Sequence, residues 1–302
     1  MRARRRVYTK LLAHLEMMRP YTMFHAGMLG FASAMFLSRG EAVWWRIALC
    51  FLVPTLGWLA GLYAGDYYDR DLDAIAKPHR PVPSGRVSPR EAFSFMVFYI
   101  LLGYALALVL SPISLAIAVV TTVSGIAYSK TFKKKAILGN FDRGLLAVLT
   151  VLFSGAAVHG LSGAGWTVAA LLGLFFFHDS SSNLVGAIRD LEGDREAGYR
   201  TVPVVYGIPR SVWISSSLAL LWMCLAVLLF AYYHQSGVAL GLFAVSFAIT
   251  CLVFGLMILN REYLTRQQAL GAHKAMVIER LVLSAAVAAI YGPAAVVLGL
   301  LV

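Results

Sequence analysis

Long apolar runs alternate with short polar connections along this chain. A helix needs about 20 mostly apolar residues to cross a bilayer. Nine stretches approach that length: Thr22–Leu37, Trp44–Tyr68, Glu91–Leu110, Ile113–Tyr128, Gly144–His159, Trp166–Ile188, Ser211–Tyr233, Val238–Leu259 and Leu281–Val302. Pro54 and Gly57 fall inside the second, so that helix is expected to bend, with neighbouring helices repairing the freed backbone groups. Ser111-Pro112 and the uncharged Gly160–Gly165 read as turns, and the charged stretch 260–280 reads as a loop before the ninth span. The pattern predicts an all-α fold: a polytopic membrane protein with nine transmembrane helices in a bundle around a central cavity, one domain over residues 1–302.

Composition fits that reading. Apolar residues make up 60% of the chain and charged residues 14%, against about 25% charged in a soluble domain; mean hydropathy is +0.74. The net charge of +11 argues for topology and against nucleic acid, because the basic residues gather in short segments between apolar runs. The N-terminus and the connections after spans two, four, six and eight hold most of the Lys and Arg, whereas the alternate connections contain Arg39 alone. The positive-inside rule then places the N-terminus in the cytoplasm and the C-terminus outside. Residues 1–21 form a basic amphipathic segment, with Leu11, Leu12, Leu15 and Met18 facing lipid or protein, and lack the apolar core of a signal peptide. Cys50, Cys224 and Cys251 all sit in apolar runs and read as small hydrophobes.

The candidate chemistry lies at two cytoplasmic loops, residues 69–90 and 189–210. In the first, Asp66, Asp69, Asp71 and Asp73 crowd into eight residues directly after an apolar run. Asp69 and Asp73 stand four apart and share a helix face, with Asp71 pointing away as a surface carboxylate. Two hard oxygen ligands on one face suit Mg²⁺, whose shell is completed by substrate phosphates. Basic residues follow at Lys77, His79, Arg80 and Arg86. The second loop repeats the theme: Asp190 and Asp194, again four apart after an apolar run, have Arg189, Arg195 and Arg200 beside them. Acid followed by base at a membrane surface reads as a site for a metal-bound diphosphate, and its repetition in two hydrophobic halves strengthens the reading.

The residues carrying this pattern resemble a known family. DYYDRDLD followed by RPVPSG, YSKTFKKK followed by GN, and RDLEGDREAGYRTVPV are similar to the signatures of the UbiA superfamily of intramembrane prenyltransferases, above all its branch of chlorophyll synthases and archaeal lipid-ether prenyltransferases. The likeness runs from Arg19-Pro20 to Gly207. It implies that Asp69 and Asp73 hold one Mg²⁺, with Asp66 assisting through water, and that Asp190 and Asp194 hold a second. It also implies that Tyr128, Ser129 and Lys133 bind a prenyl diphosphate, with Lys130, Arg19, Arg80 and Asn183 as further contacts. Lys134 and Lys135 read as lipid-headgroup determinants. One departure stands out: the family's first motif opens with an Asn four residues before the first aspartate, and Gly65 holds that position here. A lone histidine in a span is more often a satisfied polar group than a ligand; His178-Asp179, about three turns before Asp190, is the further candidate to line the cavity and help deprotonate an acceptor.

The resemblance implies a Mg²⁺-dependent transfer of a prenyl group from its diphosphate to a hydrophobic or aromatic acceptor, in the lipid bilayer. A terpene cyclase of the same superfamily would ionise the same donor without an acceptor. A cation transporter is disfavoured, because both acidic motifs lie at span ends and transport sites lie near the midplane.

Overall fold

The computed structural model describes residues 2–161, 165–233 and 236–293. The regular structure of these residues is all helical, apart from one isolated parallel bridge between Lys135 and Arg200. Helix α1 spans Arg2–Met18, α2 Pro20–Met23, α3 His25–Leu37, α4 Trp44–Tyr68, α5 Arg70–Ala76, α6 Pro89–Leu110 and α7 Pro112–Lys130. A 3₁₀ turn at Phe132–Lys134 leads to α8, Ala136–Ala157, then α9, Gly165–Arg189, and α10, Leu191–Glu196. Helices α11, Val202–Tyr232, α12, Gly237–Leu259, and α13, Arg266–Ala288, complete the described chain.

Seven of the described helices (α4, α6, α7, α8, α9, α11 and α12) have the length and apolar content to cross a bilayer. They match the expected spans two to eight, with shifted bounds. The span expected at Gly144 begins at Ala136, because Asn140, Asp142 and Arg143 are accommodated on a helix and not in a loop. The span expected at Ser211 begins at Val202 and kinks at Gly207, whose φ of 77 is followed two residues on by Pro209. The first expected span is split: Phe24 separates the four-residue α2 from the 13-residue α3. The charged stretch 260–280 is not one loop, since α13 starts at Arg266 on a capping box of Thr265 and Gln268. Of the ninth expected span, residues 294–302 lie outside the described residues.

Each long helix packs on its neighbour in sequence. Helix α3 contacts α4, α4 contacts α6, and the series runs through α7, α8, α9, α11 and α12 to α13, which returns to α3. Glycines allow the tightest approaches. A Cβ at Gly27 would lie 2.7 Å from the Phe51 carbonyl oxygen, and one at Gly144 2.6 Å from that of Phe176. Small residues at such crossings give membrane helices their packing. Outward positions such as Val119, Val120 and Val123 of α7 remain exposed and apolar, the arrangement a lipid-facing surface needs. Helix α1 buries Ala13 and Met17 beside Tyr63 of α4, leaving Leu11, Leu12 and Leu15 exposed.

Candidate active site

A cavity of about 530 Å³ opens inside the ring of helices, a size typical of small-molecule sites. Its mouth is polar and carries the acidic motifs. Its inner wall is apolar on one side, with Leu29, Val53, Met96, Ile100, Leu146 and Phe153 among its residues, and polar on the other, where His178 and Asp179 stand.

The two motifs are built alike. Helix α4 stops at Tyr68, and Asp69 sits at the break with φ −91 and ψ 3 before α5 resumes. Helix α9 stops at Arg189, and Asp190 sits at its break with φ −93 and ψ 5 before α10 resumes. In both, the second aspartate returns its amide to the first: Asp73 N to Asp69 O at 2.7 Å and Asp194 N to Asp190 O at 2.9 Å. A chain that breaks and restarts within one turn sets both carboxylates at the same cavity edge, and all four line the cavity together with Asp66. Asp71 points away into solvent, as its position on the helix predicts.

Four of the five carboxylates at the mouth are met by a cation. Asp66 binds Arg19 at 2.6 Å and Arg80 at 3.6 Å, and Arg80 also reaches Asp73 at 2.6 Å. These direct ion pairs hold Asp66 at the cavity mouth. Arg19 holds its place from a left-handed backbone at φ 46, a conformation costing about 1–3 kcal/mol for a non-glycine residue. Lys133 pairs with Asp69, and Arg189 with Asp190. Lys77 and Tyr199 stand between the motifs. Burial, and then Arg80, hold Lys77 below its ordinary range against Asp190 and Asp73. Burial pushes the Tyr199 phenol up, with Lys133 opposing and the charges of Asp69 and Asp194 adding. Asp194 is raised to about 6, first by burial and then by Asp190. Asp190 is held below its usual range despite burial, because Arg189 hydrogen-bonds it.

The basic loop is tied to the second motif by backbone. Ala136 donates to the Arg200 carbonyl at 2.6 Å, and Arg200 donates to that of Lys134 at 3.1 Å. That clamp carries Lys133 to the cavity edge. Tyr128 and Ser129 line the cavity, and Asn183 donates to the Tyr128 hydroxyl at 3.3 Å while accepting from Asn140 at 2.9 Å. Lys130 does not line the cavity and lies over the Tyr68 ring, 4.7 Å from its centroid. Arg86 is also turned away, onto Glu16 at 2.6 Å. Gly65 lines the cavity and has open space where a Cβ would stand.

His178 lines the cavity as expected, but its Nε2 is 2.6 Å from Glu279 of α13. It lies 11 residues before Arg189, about 16 Å along the helix, too deep to take a proton beside a diphosphate at the mouth. Sequence reading missed Arg143, Arg280 and Glu279, because they were taken for loop charges. The capping box at Thr265 and the seven-residue spacing of buried Ala269, Met276 and Leu283 carry the missed helical signal.

Among the described residues, no three His, Cys, Asp or Glu side chains already converge as metal ligands. The donor set nevertheless fits a hard divalent cation: every candidate ligand is a carboxylate oxygen at the cavity mouth, and the neighbouring cations stand in for its charge.

Residues 27–278 match the model of the UbiA prenyltransferase family. A digeranylgeranylglyceryl phosphate synthase of Natronomonas pharaonis is 35% identical over 202 residues, covering 67% of this chain and 72% of that protein. A solved structure of a digeranylgeranylglyceryl phosphate synthase in membranes superposes with a TM-score of 0.69 at 25% identity, over 93% of this chain and 99% of that one. A UbiA homologue from Archaeoglobus fulgidus, bound to GPP and Mg²⁺, has a TM-score of 0.69 at 18% identity, over 91% and 99%.

Proposed function

Because the chain belongs to the UbiA prenyltransferase family, we propose that it transfers a prenyl group from a prenyl diphosphate to the hydroxyl of a glyceryl phosphate lipid, with Mg²⁺. The observation that carries this reading is the pair of carboxylate motifs, alike in backbone geometry, opening onto one cavity whose inner wall is apolar on one side. The relatives named above supply the acceptor class. The protein is an integral multi-pass membrane protein in this reading. It crosses the bilayer nine times, and its N-terminus and site face the cytoplasm.

Asp69 and Asp73, and Asp190 and Asp194, are the residues that would hold Mg²⁺, which when bound supplies positive charge for the departing diphosphate. Lys133, Arg80, Arg19 and Arg189 stand close enough to the carboxylates to bind the diphosphate oxygens, and fixed cations of this kind stabilise charge that develops as the bond breaks. Tyr128 and Ser129 add hydroxyl donors. The C1–O bond of the donor breaks with its electron pair going to diphosphate. The acceptor oxygen bonds C1, and its proton passes to the released diphosphate. The apolar wall holds the tail and keeps water from the allylic cation.

The test is product formation in membranes from a prenyl diphosphate, a prenylglyceryl phosphate and Mg²⁺. Asp69→Asn and Asp190→Asn should each lower turnover by about 10²-fold or more, and EDTA should stop it. Near wild-type rates in both variants would refute the assignment. Terpene products formed without any acceptor would instead identify a cyclase.

A further inference from the structure

Past the carboxylates, the cavity wall carries a second charged cluster that departure of diphosphate does not use. Asp179 of α9 is buried between two guanidiniums. Arg280 of α13 binds one of its oxygens, and Arg143 of α8 lies 3.4 Å from the other. The three side chains are 10%, 13% and 12% exposed for Asp179, Arg280 and Arg143, and all line the cavity.

The cluster is not balanced on the cavity side. Glu279 could neutralise the second arginine, but it faces the other way. One of its oxygens meets His178 Nε2 and the other accepts from Ser246, each at 2.6 Å. His25 also faces the cluster, with Nδ1 on the Thr22 carbonyl at 2.8 Å. On its cavity side the wall therefore presents two cations to one carboxylate, with Glu279 acting on Arg280 from behind. Their donors are also underused. Arg280 Nε is buried without a partner. Arg143 lies over two rings, 4.8 Å from the Trp58 centroid and 5.7 Å from that of Tyr128, and among the described residues Asp179 is the carboxylate it pairs with. Buried guanidinium donors without acceptors are costly, and their fork geometry matches an oxyanion.

Depth decides what the oxyanion belongs to. Asp179 lies ten residues before Arg189, about 15 Å along the helix from the mouth. It also lies one helical turn beyond Asn183, whose amide meets the Tyr128 hydroxyl at 3.3 Å, so the guanidiniums stand on the far side of the diphosphate contacts from the mouth. The prenyl C1 beside that diphosphate leaves the acceptor's nucleophile between mouth and cluster. An anionic group a short carbon spacer from that nucleophile would meet the guanidiniums.

We propose that Arg143 and Arg280, held in place by Asp179, bind the acceptor's own oxyanion, a phosphate, and so select phosphorylated acceptors. This rests on the transfer reading above. It assigns the acceptor a seat separate from that of the donor diphosphate, with Asp179 as a positioning residue.

The experiment uses the full chain in nanodiscs, with geranylgeranyl diphosphate and Mg²⁺. The acceptors are a prenylglyceryl phosphate, its dephosphorylated form, and 4-hydroxybenzoate beside phenol. The wild type should favour the phosphorylated lipid over its neutral form by at least about tenfold in kcat/KM, the worth of one charged hydrogen bond. Arg143→Gln and Arg280→Gln should each raise KM for the phosphorylated acceptor about 10- to 100-fold, erasing that preference, with donor KM within about twofold. Arg143→Lys should recover part of it. Preference for 4-hydroxybenzoate over phenol, with none between the two lipids, would overturn the phosphate assignment. The proposal falls if the wild type uses neutral and phosphorylated acceptors equally, or if the variants depress both equally. Should a Gln variant not fold, the wild-type preference and Arg143→Lys still decide. Absence of diphosphate release with every acceptor would fail the transfer reading itself. Release without anion preference would fail only this proposal.

Discussion

Gly65 offers a direct way to ask whether the first motif faces a metal. It lies in the last turn but one of α4, four residues before Asp69, and a Cβ there meets no atom within 4 Å. Two substitutions separate backbone from chemistry. Gly65→Ala fills nothing and removes only the flexibility of a helical glycine, so it should stabilise by about 0.5–1 kcal/mol. In a chain of this size that corresponds to a melting increase of about 2–4 °C per kcal/mol. Gly65→Asn adds an amide oxygen one turn from Asp69 on the same face. Even outer-sphere partners of a metal site change its affinity by about 10- to 100-fold, so Asn should lower the Mg²⁺ concentration for half-maximal turnover by about tenfold relative to Ala. The assay pairs thermal melting of purified protein, with and without Mg²⁺, with Mg²⁺ titration of turnover. A lower melting temperature for Gly65→Ala would show that the space is filled. Equal Mg²⁺ requirements for Asn and Ala would show that the Asp69 face does not carry the ion.

Two further outcomes follow from the structure. Asp194, raised to about 6, is protonated below that pH in the metal-free site, and Mg²⁺ must displace that proton; the Mg²⁺ half-saturation of turnover should rise as pH falls through about 6, and Asp194→Asn should flatten the profile. A flat wild-type profile between pH 5 and 7 would refute it. At the crossing of α3 and α4, a Cβ on Gly30 would be driven into the Cys50 carbonyl oxygen and lie 3.0 Å from Pro54 Cγ. Gly30→Ala should therefore lose about 1–3 kcal/mol by overpacking, read as a lower melting temperature, whereas Gly65→Ala raises it.

What sequence revealed and what it hid have one physical cause. Apolar runs announce lipid-facing and core helices, so spans two to eight were legible from pattern alone. The paired aspartates were legible too, because a four-residue spacing after an apolar run is local. Arg143, Glu279 and Arg280 were not, because a charge inside a membrane helix is stable only beside a partner, and their partners are distant in sequence. Asp179 answers Arg143 and Arg280, and His178 answers Glu279 from 101 residues away. Read singly, such charges look like loop. Only the capping box at Thr265 and the buried face of Ala269, Met276 and Leu283 marked α13 locally. Pro54, where sequence led us to expect a bend, lies inside α4, which runs from Trp44 to Tyr68.

The ion pairs at the mouth explain how the site can exist before any substrate arrives. Five carboxylates at one cavity edge would repel strongly in a low-dielectric setting, yet Asp66, Asp69, Asp73 and Asp190 each have a cation within 4.0 Å, and Asp194 is stabilised by Lys133 and Lys77. The same cations are the groups placed to bind a diphosphate. Arg80 and Lys133 therefore have two possible partners, a carboxylate in the resting site and a phosphate oxygen in the loaded one. The exchange is balanced only when a divalent cation takes over the carboxylates as the arginines and lysines turn to the anion. Donor alone would strip the carboxylates of their partners, and metal alone would crowd the cations. Binding of donor and Mg²⁺ should thus be cooperative, and by linkage each should raise the affinity of the other by the same factor.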